Sequence, residues 1–125
     1  MEFLKFLPNT LEKRLYNSLF SFLWSVNEDF PIPLEKKTKI PDLFNKFITR
    51  ADLFVAVENN KIVGLVSGYL TNAELNSGYI SVVAVNKDYR HKGIASSLLI
   101  NLLDLRVRSL IGIHSRRLHG RKSDL

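Results

Sequence analysis

The sequence contains no cysteine. That absence excludes a disulfide scaffold, a cysteine nucleophile and thiolate-bound zinc, and it suits a reducing compartment. No apolar run approaches the ~18 residues that a membrane span requires. The opening residues, Met1-Glu2-Phe3-Leu4-Lys5, lack the charged-then-apolar layout of a secretory signal. The expectation is a cytoplasmic protein that does not engage a membrane. Two phosphate-binding signatures are also missing: no Gly-Lys-Ser/Thr follows a glycine at Walker spacing, and there is no G-x-G-x-x-G. His114 and His119 do not have zinc-ligand spacing, so no metal site is expected.

What remains is a chain of 125 residues, 46% apolar and 24% charged, which suits one packed domain. The net charge of +6 raises the question of nucleic-acid binding, and its distribution answers it. Residues 106–125 hold five Arg and one Lys against one Asp, while the preceding 105 residues hold 12 basic and 11 acidic groups. The body is nearly neutral, and a basic tail argues against a nucleic-acid-binding fold, which carries its patch on the folded surface. The tail also switches basic residue. Nine Lys and three Arg precede it, and two of the three His fall within it.

Periodicity organises the rest. Residues 1–7 read as an edge strand. Asn9 and Glu12 have capping-box spacing, and Leu11, Leu15, Leu19, Phe22, Leu23 and Val26 then form one apolar helical face, predicting a helix over residues 10–26. Pro31 and Pro33 mark a linker. Pro41 opens a second amphipathic helix that carries Leu43, Phe44, Phe47 and Ile48 and ends near Arg50. Strands follow at residues 53–57 and 62–70, joined by a turn at Asn59-Asn60, and a third strong strand covers residues 79–85. A helix over residues 93–105 presents Ile94, Leu98, Leu102 and Leu105 on one face. Helices and strands are clustered, which predicts an α+β fold with a mostly antiparallel sheet.

The loop before that last helix holds Lys87, Arg90, His91 and Lys92. Cations at a helix N-terminus oppose the macrodipole, so stability alone would favour acids there. The arrangement makes sense if an anion binds, because free amides and the dipole converge on the same point. Gly93 allows close backbone approach, Ala95 keeps the first turn slim, and Ser96 and Ser97 add hydroxyl donors.

The full stretch Val83-Ala84-Val85-Asn86-Lys87-Asp88-Tyr89-Arg90-His91-Lys92-Gly93-Ile94-Ala95 resembles the signature of GNAT-type N-acetyltransferases: a strand, a short linker, then Arg/Gln-x-x-Gly-x-Gly/Ala opening a long helix. Lys87 departs from it, since the family often has proline there. The resemblance implies acetyl-CoA as co-substrate. It gives the diphosphate to Arg90, His91, Lys92, Gly93, Ile94 and Ala95 with Ser96 nearby, and the pantetheine arm to the backbone of Val83 and Val85. It also implies that the Val83 N–H polarises the thioester carbonyl, and that the acceptor is an amine of a small molecule or peptide. It names no catalytic base; Glu74 and Ser81 are the candidates, and Tyr69 and Tyr79 read as packing residues.

The resemblance covers residues 1–105, the N-terminal and central part of such a domain. Members of the family continue into a fifth strand, a helix and two further strands. Here only Leu110-Ile111-Gly112-Ile113 offers a strand, and residues 106–125 read as a basic, divergent tail. The expectation is an N-acetyltransferase that is truncated or frame-shifted after residue 105, or a short member whose missing strands come from a partner subunit in a homodimer; the alternative is a non-catalytic, acyl-CoA-binding remnant of such an enzyme.

Overall fold

The computed structural model describes residues 1–69 and 79–110, with only the backbone described for Tyr79 and residues 105–110. Four strands form one antiparallel sheet in the order β1-β2-β3-β4. They are β1 (Glu2–Phe6), β2 (Asp52–Glu58), β3 (Lys61–Tyr69) and β4 (Tyr79–Val85). Helices α1 (Tyr16–Ser25), α2 (Leu34–Lys37) and α3 (Ile40–Arg50) lie between β1 and β2, and α4 (Ile94–Leu110) follows β4.

The sheet separates two apolar layers because successive strand side chains point to opposite faces. Leu53, Val55, Val57, Leu65 and Val82 join Leu15, Leu19, Leu23 and Phe47 on the side of α1 and α3. Phe54, Ala56, Val63 and Val66 meet Ile94, Leu98 and Leu102 of α4 on the other. Burial on both faces explains why β2 and β3 read as nearly continuous apolar runs. The β2–β3 turn has φ 51° at Asn59 and 61° at Asn60, the primed geometry that matches strand twist.

Three local expectations need correction. The capping box at Asn9 and Glu12 does not form. Asn9 takes φ 63° and donates its N–H to Ile48 O at 2.9 Å, pinning the end of β1 to α3. The Glu12 carboxylate accepts from Arg14 Nε at 2.9 Å, and residues 13–15 form a 3-10 turn before α1 begins. The linker after α1 is also more structured than its prolines imply: a 3-10 turn at Asn27–Asp29 precedes the short α2. The last helix passes residue 105 without a break and reaches Leu110, so Leu110 is helical. The remainder of the proposed fifth strand, the loop at residues 71–78 with Glu74, and His114 and His119 lie outside the described residues. Among the described residues, no helix is long and apolar enough to cross a membrane, and no three or more His, Asp or Glu side chains are placed to hold one metal ion.

Candidate functional site

The site begins with the edge strand β4. On one side it pairs with β3; on the other it pairs with no described strand. Asn86 donates its N–H to Val63 O at 2.8 Å. Backbone direction alternates along a strand, so Ala84 and Val82 aim their amides at β3, and Val83 and Val85 aim theirs at the open edge. The register supplies a second feature. Ser67 pairs with Val82 and Gly68 with Ile80, so Ser81 is an extra residue, a bulge in β4. Bulges re-aim a strand and recur beside active sites.

After β4 the chain turns sharply. Asn86 Oδ1 accepts from Asp88 N–H at 2.9 Å, and Tyr89 N–H donates to Asn86 O at 2.8 Å, closing a 3-10 turn over Lys87–Tyr89. His91 and Gly93 then take left-handed φ values of 64° and 77°. A Cβ added to Gly93 would meet nothing within 4 Å, so backbone conformation, not space, calls for glycine there. The first α4 amide to reach a backbone carbonyl is that of Ser97, on Gly93 O at 3.0 Å. The amides of residues 93–96 stand ahead of it, as first-turn amides do, and face outward with the positive end of the helix.

Val85, Tyr89, Arg90, His91, Gly93, Ile94, Ala95 and Ser96 line a cavity of about 230 Å³ at this helix start. The geometry therefore gathers most of the residues singled out in the sequence. Of the residues to which the resemblance gives the co-substrate, Val83 and Lys92 lie outside it: Val83 is at the strand edge, and Lys92 Nζ lies 5.3 Å from the Tyr89 ring centroid. Ile94 contributes backbone only, because its side chain is buried against Gly64, where an added Cβ would come within 2.8 Å of Ile94 Cγ2. Arg90 is committed: its Nε donates to Val85 O at 3.0 Å and one terminal nitrogen to Asp29 Oδ2 at 2.6 Å. Tyr69 is buried beneath Lys46, whose Nζ is 5.3 Å from its ring centroid.

A second, larger cavity of about 570 Å³ adjoins the end of β4 on the α1 side. Trp24, Ser25, Asn27, Glu28, Asp29, Glu35, Asn86 and Lys87 line it. Three of these are carboxylates. Asn27 shapes the wall by accepting the Glu35 N–H on its Oδ1 at 2.8 Å. The cavity leaves little mark in the sequence, because residues 27–33 look like a plain linker. One signal was available: Trp24 sits off the apolar stripe of α1, and it is 44% exposed.

The chain matches the family model described as Acetyltransferase (GNAT) family over residues 17–123. Among solved structures it resembles an aminoglycoside acetyltransferase from an uncultured soil metagenomic sample, at 21% identity and TM-score 0.56, covering 90% of this chain and 74% of that one. A GNAT family acetyltransferase from Staphylococcus aureus matches at 22% identity and TM-score 0.55, over 86% of this chain and 80% of that one. A Trypanosoma brucei acetyltransferase matches at 18% identity and TM-score 0.50, over 96% and 98%. At these identities the likeness establishes the fold. No curated protein matches the chain.

Proposed function

The chain belongs to the GNAT acetyltransferase family, and from that premise we propose that it transfers the acetyl group of acetyl-CoA to an amine of a small molecule or peptide. The observation that carries this reading is the group of outward amides at residues 93–96, set beside a cationic loop at the start of α4. A diphosphate fits that arrangement: it brings acceptor oxygens to donors that have no backbone partner among the described residues, and negative charge to the positive helix end. Val83 and Val85 offer two amides along the open edge of β4, which suits an extended arm lying beside the strand. Acetyl-CoA supplies an activated thioester carbonyl. In this reading the Val83 N–H stabilises the charge that develops on its oxygen as the amine attacks. The new C–N bond replaces C–S, the thiolate leaves with the proton that the amine gives up, and the products are an acetamide and free CoA.

The acceptor must arrive as a neutral amine at the strand end. The larger cavity is the candidate for holding it. Glu28 and Glu35 would attract a positively charged molecule, and Trp24 offers a face for its apolar or cationic part. The similarity to an aminoglycoside acetyltransferase supports a small amine-bearing acceptor over a bulky one. The reading places the protein where acetyl-CoA is available, in the cytoplasm.

Calorimetry with acetyl-CoA, followed by thiol release measured over a panel of amines, tests the proposal. Saturable binding with release that depends on the amine is the expected result. Binding with no release for any amine would support an acyl-CoA-binding module. No binding would remove the reading altogether.

A further inference from the structure

Arg90 belongs to the cationic loop, yet its guanidinium already has two partners within the fold. It is folded back onto Val85 O and held by Asp29, 61 positions earlier in the chain. The two partners belong to different cavities: Arg90 lines the smaller one at the helix start, and Asp29 lines the larger one. Both side chains are about 40% exposed. Such a pair contributes little to folding, so its placement calls for another explanation.

We infer that Asp29 is a positioning residue that acts through Arg90, holding the guanidinium away from the anion site until a diphosphate competes for it. The inference rests on the acetyl-CoA reading of the smaller cavity. A diphosphate offers more charge and more acceptor oxygens than one carboxylate, so the exchange favours the ligand once it is bound. The exchange returns the Asp29 carboxylate to the wall that already carries Glu28 and Glu35, neither of which is ion-paired among the described residues. Filling the smaller cavity thereby makes the larger one more negative. The two sites are linked through a single ion pair, and by reciprocity a cation in the larger cavity strengthens the hold on the diphosphate.

The test uses the whole chain, with acetyl-CoA as the probe. If Asp29 competes with the ligand, Asp29→Asn binds acetyl-CoA more tightly than the wild type, by about two- to fivefold as expected for losing one exposed pair. Asp29→Glu returns the affinity toward the wild-type value. In an Arg90→Gln background, Asp29→Asn changes nothing, because its effect runs through the guanidinium. Trp24, the single tryptophan, lines the larger cavity and reports the exchange. Its emission shifts on acetyl-CoA binding in the wild type, and that shift shrinks in Asp29→Asn. A merely structural role for Asp29 predicts the opposite sign, weaker binding in Asp29→Asn. That result, an unchanged affinity, or an equal effect of Asp29→Asn in the Arg90→Gln background would overturn the inference. Failure of the wild type to bind acetyl-CoA would instead remove the functional reading, and the inference with it.

Discussion

Gly93 and Gly64 support the same loop by different physics. Gly93 holds φ 77° with open space around it. A side chain there meets no clash but does meet the left-handed penalty of ~1–2 kcal/mol. Gly93→Glu also adds a negative charge where an anion is expected. It should abolish acetyl-CoA binding in calorimetry while the circular dichroism spectrum stays native; unchanged affinity would sink the assignment of the loop. Gly64 has no unusual φ to explain, but its missing side chain leaves room for Ile94. Gly64→Ala should push the start of α4 off the sheet, costing ~1–3 kcal/mol as overpacking does, and a thermal melt would read it as a lowered Tm. The need at Gly93 is legible from sequence, because its neighbours are cationic and a helix follows. The need at Gly64 is not, because it arises from a contact with a residue 30 positions away.

Among the elements, α4 carries the site and the sheet holds α4 in place. Leu98 and Leu102 are almost fully buried against Phe54, Ala56, Val63 and Val66. Leu98→Ala should cost ~2–5 kcal/mol, visible as a lower urea midpoint, and should weaken acetyl-CoA binding at temperatures where the native fraction falls. Most elements were legible because their periods are clear: three-to-four spacing in α1 and α3, and β-branched runs in β2, β3 and β4. The Asn59-Asn60 turn was legible because asparagine tolerates positive φ. The capping box at Asn9 failed for the same reason, since Asn9 used that tolerance to enter a turn and bond Ile48. The bulge at Ser81 was hidden, because an extra residue leaves no mark until the partner strand fixes the register.

At the scale of the whole molecule, the end of β4 lies between two cavities of unlike charge. The smaller is lined by outward amides and Arg90, the larger by three carboxylates and Trp24. The first was legible as a contiguous motif. The second was not, because it assembles α1, the following turn, α2 and the end of β4 from segments about 60 residues apart. The basic tail at residues 106–125 accounts for most of the net charge, so acetyl-CoA binding that rests on the loop should fall less steeply with salt than binding to the tail would, because short bonds to amides are screened less than charges held apart in solvent. A steep dependence in a calorimetric salt series would move the binding to the tail. In the proposed mode of binding, the amides of residues 93–96 hold the diphosphate. Amide NMR shifts recorded during an acetyl-CoA titration test it most directly. The largest changes are expected at Gly93, Ile94, Ala95 and Ser96, with the buried core of β2 nearly unmoved; saturable binding that leaves those four amides in place would overturn this mode of binding.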